Sequence, residues 1–421
     1  MLAHRVPYPA NKGEKIRTFN HLAYLVGKGH HVTVLAPLEN SEDKKFAEQL
    51  SERLAVKVVH ARLDNRQLRI VRGLTSRQAL SVTNFHSAEL QNKFKTLITA
   101  EQPDVIMCTS SAMAKYVFHP PASALIKKQN IRLVMDFMDL DSLKWGQYAE
   151  HKPWPQCLIY KREAKLLASL ENKILKKFDT SVFVSVQEKE LLNNGAELNS
   201  KVQVVSNGVD ISSYYPDEHT IEENIFGDAS PVVLFTGVMD YFPNEDAVVW
   251  FADTAWPAII QQHPKAKFII AGMRPSRKVA ELENRRGIKV TGYLDEILPY
   301  YQQADFLVAP FRVARGIQNK VMQAMACGLP VLASPEGASG INYVDNEHLV
   351  IAETPQDYLN AINTLINDQA AYKRISQASL QLITKQYSWE DENAKLELLL
   401  KCGPASDHST AASHINRLST V

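Results

Sequence analysis

The sequence predicts an α/β protein built from two doubly wound parallel sheets. Short apolar runs alternate with segments of helical periodicity along most of the chain, a pattern typical of parallel strands joined by helices. The 421 residues exceed what one hydrophobic core ordinarily organises, so two domains are expected. Apolar residues make up 45% of the chain and charged residues 22%, which is the composition of a globular protein.

The predicted strands form two series. Each is a short apolar run bounded by turn residues. The first series covers residues 32–35, 56–59, 105–107, 133–135, 182–184 and 202–205, and the second covers 232–236, 268–271, 289–291, 306–309 and 331–333. Helical patterns include residues 318–327, which Gly328 and Pro330 end, and a long helix over Trp389–Lys401.

The turn at Asn207-Gly208 separates the two series. We therefore predict an N-terminal domain over residues 1–205 and a second domain over 206–386. The helix over 387–401 is expected to return to the N-terminal domain. Residues 402–421 are rich in Ser, Thr, Ala and His without periodicity, so they are expected to be disordered.

Bulk properties exclude several classes. The four cysteines contain no C-x-x-C pair, which argues against a disulfide framework or a structural zinc. The sequence has no apolar run of about 20 residues and no N-terminal signal pattern, so we expect a cytoplasmic protein.

The net charge of +1 conceals a division between the halves. Residues 1–205 carry 30 Lys and Arg against 20 Asp and Glu, while residues 206–421 carry 17 against 26. The basic half suggests an anionic membrane surface or a lipid-linked diphosphate, and the sequence shows no nucleic-acid-binding module. Residues 62–77 concentrate the charge in five arginines, with apolar residues interleaved as on an interfacial helix: Arg62, Arg66, Arg69, Arg72 and Arg77, with Leu68, Ile70, Val71 and Leu74. A solvated helix face is the alternative.

One junction carries the strongest functional signal. Gly316 stands between a predicted strand and a predicted helix, where a glycine lets the backbone approach a ligand. Free N–H groups at the start of a helix attract an anion such as a diphosphate. Arg312, Arg315 and Lys320 add three cations within nine positions, enough to neutralise a leaving nucleoside diphosphate.

These residues belong to a longer pattern that resembles retaining glycosyltransferases of the GT-B fold, in their large family four. The resemblance covers about residues 4–400, and its motifs are collinear. A subgroup associated with exopolysaccharide and exosortase (PEP-CTERM) loci is the most similar. The motifs are Pro7-Tyr8-Pro9 with Gly13, Gly29-His30, Asp136-Phe137-Met138-Asp139, Ser206-Asn207-Gly208, Phe235-Thr236-Gly237, Pro243-Asn244, Arg315-Gly316-x-x-x-Lys320-x-x-Gln323 and Tyr387-Ser388-Trp389.

The resemblance implies transfer of a sugar, of the hexosyl type, from a nucleotide-sugar donor to a glycan or lipid-linked acceptor in cell-surface polysaccharide synthesis. Residues 1–205 would be the acceptor-side domain and residues 206–386 the donor domain. The resemblance implies no metal cofactor, because the family's donor clamp is made of protein cations. Arg315, Lys320 and Asp139 are the implied catalytic residues. The implied donor contacts are Gly13, Gly237, Arg312, Gly316 and Gln323.

The chain departs from the family pattern at several points. Where Gln323 stands, relatives usually carry a Glu that accepts hydrogen bonds from the ribose, so weaker donor binding is expected. After Gly237, relatives often carry Arg and Lys, which are absent from residues 238–244 here. A His usually follows the fifth strand, whereas Met138 and Asp139 stand there. Relatives also have a longer first strand, so we predict that the first strand is truncated.

Three other interpretations remain. Asp139-x-Asp141 could be the metal-binding carboxylate pair of the other glycosyltransferase fold, although two αβ halves argue against it. A dehydrogenase would need a G-x-G-x-x-G after an early strand, and Gly27-Lys28-Gly29 precedes a strand instead. A catalytically weak or silent nucleotide-sugar-binding partner protein is the alternative that Gln323 supports.

Overall fold

The structure is a computed structural model that describes residues 1–150, 152–192, 200–216 and 224–401. The chain divides into two compact units. Met1–Ser206, together with the described residues 390–401, forms the first, and Asn207–Trp389 forms the second. The predicted disordered tail, including Cys402, lies outside the described residues.

Each unit contains one parallel sheet. Within the described residues the first sheet has seven strands in the order β3-β2-β1-β4-β5-β6-β7, and the second has six in the order β10-β9-β8-β11-β12-β13. The strands are β1 Leu2–Ala3, β2 Thr33–Leu38, β3 Lys57–Arg62, β4 Val105–Thr109, β5 Arg132–Met138, β6 Thr180–Phe183, β7 Val202–Val204, β8 Val232–Thr236, β9 Lys267–Ala271, β10 Ile288–Gly292, β11 Phe306–Ala309, β12 Val331–Ala333 and β13 Val350–Ile351.

Helices connect the strands. In the first unit they are α1 Gly13–Gly27, α2 Glu42–Leu54, α3 Arg66–Thr75, α4 Leu80–Asn84, α5 Ala88–Glu101, α6 Ala114–Phe118, α7 Ala122–Lys128, α8 Asp141–Glu150, α9 Gln156–Lys177 and α10 Val186–Glu190. Next come α11 Phe242–Thr254, α12 Trp256–Gln262, α13 Arg277–Glu281, α14 Leu298–Gln303, α15 Asn319–Ala326, α16 Pro355–Asn367, α17 Gln369–Gln386 and α18 Trp389–Lys401.

The two doubly wound parallel sheets confirm the predicted fold class. All-parallel sheets are covered on both faces, so their strands are nearly continuous apolar runs, and this is why they were visible in the sequence. The two-residue strands β1 and β13 carry too little pattern to be recognised that way. β1 nevertheless lies at the centre of the first sheet, where Leu2 pairs with Leu35 on β2 and with Cys108 on β4.

A buried ion pair lies inside the first unit. The guanidinium of Arg17 on α1 donates to both carboxylate oxygens of Asp136 on β5, at 2.8 and 3.0 Å. Arg17 also donates to the carbonyl oxygen of Ser206 at 3.1 Å. Leu396 of α18 packs against apolar residues of three strands of the same sheet: Met107, Val134 and Val182. These contacts attach both the end of the first strand series and the last helix to the first unit.

Candidate functional site

Glycines shape the carboxyl edge of the second sheet. Gly237 follows β8 and Gly272 follows β9, with φ angles of +156° and +149°. A Cβ atom on Gly272 would lie 1.7 Å from the carbonyl oxygen of Gly237. The two loops therefore touch through their backbones, which only glycine permits here. The carboxyl edge of an open α/β sheet is where ligands of such folds bind.

Lys320 reaches this edge from helix α15. A Cβ atom on Gly237 would lie 2.9 Å from the Nζ of Lys320, so the predicted residues Gly237 and Lys320 are in contact. Lys320 donates a hydrogen bond of 2.8 Å to Oδ1 of Asn244. The amide nitrogen of Asn244 donates in turn to the carbonyl oxygen of Val238 at 2.9 Å. Asn244 thus joins the loop after β8 to the lysine.

The surroundings of Lys320 are aromatic rather than acidic. Its Nζ lies 4.0 Å from the ring centre of Phe235 and 4.9 Å from that of Phe311. Burial lowers the pKa of Lys320 well below the ordinary lysine value. No carboxylate in the described part of the chain forms an ion pair with it. An anionic ligand at this edge would therefore meet an amine that no carboxylate of the described residues pairs with, and it would favour the protonated form of that amine.

The start of α15 has no side-chain cap. Gly316 has a φ of +64°, a left-handed conformation that favours glycine. Gln318 precedes the helix without capping it through its side chain, which instead donates to the carbonyl oxygen of Arg315 at 3.2 Å. The side chain of Asn319, the first helical residue, accepts a hydrogen bond of 3.0 Å from Asn207. The first N–H groups of α15 are therefore not satisfied by a side-chain cap.

The two predicted arginines differ in their surroundings. Arg312 is 54% exposed and forms a two-pronged ion pair with Asp246 of α11, through Nε to Oδ2 at 3.0 Å and through Nη2 to Oδ1. Its charge is thereby largely balanced within the protein. Arg315, which directly precedes Gly316 in the chain, is half-buried. The structure thus brings Arg315, Gly316 and Lys320 to one loop–helix junction and turns Arg312 toward α11.

Gln323 lies one turn beyond Lys320 in a polar cluster. The hydroxyl of Tyr301 donates to Oε1 of Gln323 at 3.1 Å and contacts the hydroxyl of Thr236 at 2.7 Å. Tyr214 hydrogen-bonds the same glutamine. Burial raises the pKa of Tyr301 well above the ordinary tyrosine value, so its hydroxyl stays protonated and remains a donor. The carbonyl oxygen of Gln323 is therefore already used as an acceptor within the protein.

Gly13 and Asp139 lie in the first unit. Gly13 is the first residue of α1, and Lys12 before it forms no side-chain cap. Asp139 follows β5, directly after Met138, whose φ is +63°. At the end of the neighbouring strand β4, Ser110 has a φ of +81°. Two non-glycine residues in strained backbone at adjacent strand ends are typical of functional sites.

The carboxylates near Asp139 are held by protein groups. Asp141 accepts a hydrogen bond of 3.1 Å from the hydroxyl of Ser111, and burial raises its pKa. Among the described residues, no cluster of three or more His, Cys, Asp or Glu side chains has the geometry of a metal site.

Two residues at the site carry no role in the sequence-based assignment. Asn244 orients Lys320, and Tyr301 holds Gln323, although each is far from its partner in sequence. The Pro243-Asn244 motif indicated position 244 but not the contact of Asn244 with Lys320. Tyr301 lies in a short helix with no distinguishing pattern, so no local signal indicates it.

The fold and this junction define an α/β protein of two Rossmann-like units, in which a lysine lies beside an uncapped helix start. Residues 13–213 match the family described as Glycosyltransferase Family 4, and residues 230–368 match the family described as Glycosyl transferases group 1. The chain belongs to the GT-B glycosyltransferases, and it is a glycosyltransferase dependent on a nucleotide-sugar donor.

Individual relatives are distant in sequence. A 44.6 kDa protein in the cps region of Klebsiella pneumoniae is 22% identical over 400 residues, covering 90% of this chain and 94% of its own. Sucrose-phosphate synthase from Thermosynechococcus elongatus superposes with a TM-score of 0.67 at 17% identity, over 94% of this chain and 97% of its own. Anabaena HepE, crystallised with UDP and glucose, superposes with a TM-score of 0.66 at 15% identity, over 95% of this chain and 99% of its own. These similarities extend over both units.

The described residues contain no helix with the length and apolar character that a bilayer crossing requires.

Proposed function

We propose that the protein transfers a hexose from a nucleotide-sugar donor to a glycan or lipid-linked acceptor, with retention of configuration at the anomeric carbon. The observation that carries this proposal is the junction before α15. Lys320 lies there without a carboxylate partner among the described residues, next to Gly237 and one turn beyond Gly316. A cation and uncapped helix N–H groups suit a leaving diphosphate.

In this reaction the protein supplies position and charge. Arg315, Lys320 and the N–H groups at Gly316 stabilise the negative charge that develops on the diphosphate as the glycosidic bond to the donor breaks. The departing phosphate oxygen accepts the proton of the acceptor hydroxyl, which attacks from the same face of the sugar. The protein then needs no nucleophile of its own. Because protein cations carry the charge, we propose that no metal is required.

The remaining predicted residues have supporting roles in this proposal. Arg312, through its pairing with Asp246, steadies the loop before Gly316 at the flank of the diphosphate. Gln323 faces the donor ribose from the Tyr301 cluster. On the first unit, Gly13 contacts the donor through its backbone N–H, and Asp139 contacts the sugar or the acceptor. The strained backbone at Met138 sets the position of Asp139.

The biological setting is proposed to be exopolysaccharide or other cell-surface polysaccharide synthesis. The motifs shared with the exosortase-associated subgroup support it. So does the similarity to a protein in the cps region of Klebsiella pneumoniae. An acceptor on a lipid carrier would be met at the inner face of the cell membrane.

Donor screening followed by site variants tests the proposal. Thermal shift against UDP-, GDP-, dTDP- and ADP-sugars should identify one donor, since a ligand at about 100 times its dissociation constant adds about 2.7 kcal/mol to stability. Lys320→Ala and Arg315→Ala should each lower turnover by about two to three orders of magnitude. Lys289→Ala, which removes an exposed lysine paired with Glu283, is the control and should leave turnover unchanged.

Unchanged turnover in both site variants would refute the site. A wild-type protein that binds a donor and transfers nothing to any acceptor would instead favour the silent partner protein.

A further inference from the structure

Helix α3 is oriented opposite to an ordinary surface helix. Such a helix normally packs its apolar side chains inward and exposes its charged ones. Here the buried positions are Arg69 and Gly73. The large apolar side chains face the solvent, with exposed fractions of 61% for Leu68, 40% for Ile70, 58% for Val71 and 44% for Leu74.

Specific contacts hold α3 in this orientation. The guanidinium of Arg69 donates to the carbonyl oxygen of Asp64 at 2.9 Å and to Oδ1 of Asn84 at 2.7 Å. Gly73 packs so closely that a Cβ atom there would lie 2.5 Å from the hydroxyl oxygen of Thr83. Turning the helix over would break the hydrogen bonds of Arg69 and bring a bulkier side chain against α4. The apolar side is therefore held outward by polar anchors on the opposite side.

A second exposed apolar group lies at the start of α9, the helix that contacts the end of α3. Trp154 is 79% exposed, Leu158 54% and Ile159 40%. Leu158 and Ile159 lie one helical turn before Arg162 on α9, on the same side of that helix. The guanidinium of Arg162 donates to the carbonyl oxygen of Gly73 at 2.9 Å and to that of Ser76 at 2.6 Å. These hydrogen bonds join the start of α9 to the end of α3 within the first unit.

Cations border both apolar groups. Residues 62–77 carry five arginines and a single carboxylate, that of Asp64, which pairs with Arg72. With Arg69 buried, the exposed arginines are Arg62, Arg66, Arg72 and Arg77. On α9, Lys161 and Lys165 are exposed while the carboxylate of Glu163 is buried and accepts hydrogen bonds from α4. Apolar side chains bordered by Lys and Arg are typical of a helix at the surface of an anionic membrane.

We infer that these residues form a docking face for an anionic phospholipid bilayer, in which Trp154 and the outward side of α3 both enter the headgroup region. The docking face comprises Leu68, Ile70, Val71, Leu74, Trp154, Leu158 and Ile159 with the bordering cations. Charge complementarity selects anionic lipid as the partner, and Trp is the side chain that favours the membrane–water interface. The inference deepens the proposed function and rests on it, since it says where a lipid-linked acceptor would be met.

Vesicle sedimentation tests the docking face without any donor. The protein should sediment with phosphatidylcholine vesicles that contain about 30% phosphatidylglycerol and remain in solution with pure phosphatidylcholine. Binding should weaken as salt rises from about 0.05 to about 0.5 M. Val71→Gln and Trp154→Gln should each weaken binding by about tenfold, because each removes a buried apolar contact with lipid. Val344→Gln changes a valine of the second unit with similar exposure, 53%, and should bind as the wild type does.

Trp154 gives a second signal. Its emission should shift to the blue when anionic vesicles are added, and Trp154→Phe should remove that part of the shift. Equal binding to neutral and anionic vesicles would overturn the inference. Equal binding of Val71→Gln and Val344→Gln to anionic vesicles would overturn it as well. A concentration-dependent dimer that Val71→Gln dissolves would assign the face to a second copy instead. Glycosyl transfer to a water-soluble acceptor without vesicles tests the proposed function separately.

Discussion

The ammonium of Lys320 donates to the side-chain oxygen of Asn244 at 2.8 Å, although the two residues come from different loop–helix segments of the second unit. Asn244 is buried and uses its amide nitrogen to hold the carbonyl of Val238 at 2.9 Å. Its hydrogen bonds therefore fix the lysine and the loop after β8 at once. The position of the cation at the donor edge depends on a neutral side chain that carries no charge of its own.

Replacing Asn244 with Ala should weaken binding of a nucleoside diphosphate by about tenfold or more, since a hydrogen bond to a charged group contributes about 1.5–3 kcal/mol. Calorimetric titration with the diphosphate of the best donor measures this. Asn360→Ala, which removes an exposed asparagine of α16, is the control. Equal affinities of the two variants would contradict the positioning role of Asn244.

The protonation of Lys320 should couple to donor binding. Burial lowers the pKa of Lys320 in the free protein. A bound diphosphate favours the ammonium form and therefore raises that pKa. When the pH is above the pKa of the free protein, binding of the diphosphate takes up a proton. Affinity should therefore increase as the pH falls from the ordinary lysine pKa of about 10.4 toward neutrality. Lys320→Arg keeps its positive charge throughout this range. Dividing the affinity of the wild type by that of Lys320→Arg at each pH therefore removes the effect of the ligand's own titration. A ratio that does not change with pH would contradict the prediction.

The fold could be predicted from the sequence because buried parallel strands correspond to runs of apolar residues. The predicted runs 232–236, 306–309 and 331–333 coincide with β8, β11 and β12. Strand β5 extends three residues beyond its predicted end, to the left-handed Met138, since the polar Asp136 interrupts the apolar run. That aspartate is buried by its ion pair with Arg17, a long-range contact that local pattern does not reveal.

The candidate site could be predicted only in part. Glycine and lysine at a strand–loop–helix junction have a local signature, so Gly316 and Lys320 were visible. The pairing of Arg312 with Asp246 could not be predicted, because a charged residue on a loop belongs to no periodic pattern that would indicate its partner. For the same reason the five arginines of residues 62–77 looked alike, whereas Arg69 is buried and anchors α3.

The contact between Gly237 and Gly272 should make the second unit intolerant of a side chain at position 272. Gly272→Ala places a Cβ atom against the carbonyl oxygen of Gly237, so we expect a loss of about 3 kcal/mol or more of unfolding free energy. Gly146→Ala is the matched control, because a Cβ atom there meets nothing within 4 Å and the residue is inside helix α8. The control should be neutral or stabilising by up to about 1 kcal/mol. Urea denaturation of both variants decides the question, and equal midpoints would contradict it.

Glu171 should make the stability of the first unit depend on pH. Burial raises its pKa from 4.5 to about 7, although the backbone N–H and hydroxyl of Ser142 donate to it. The folded protein therefore binds the proton more tightly than the unfolded chain. This stability is fully present below about pH 4.5 and is lost as the pH rises through about 7, by up to about 3 kcal/mol. Glu171→Gln should remove that loss. Urea midpoints that fall equally in both proteins between about pH 5 and about pH 8, which bracket the pKa, would count against it.

Gln323→Glu tests the ribose role of this position. Tyr301 already donates to the side-chain oxygen at 3.1 Å, so it can hold one oxygen of a carboxylate while the other accepts from the ribose. We expect donor binding to tighten by roughly fivefold, about 1 kcal/mol, because a charged acceptor forms a stronger hydrogen bond than a neutral one. Calorimetry with the donor and with its 2′,3′-dideoxyribose analogue measures the gain. If the introduced carboxylate paired with Arg315 instead, affinity would stay unchanged. An equal gain with the analogue would likewise show that position 323 does not contact the ribose.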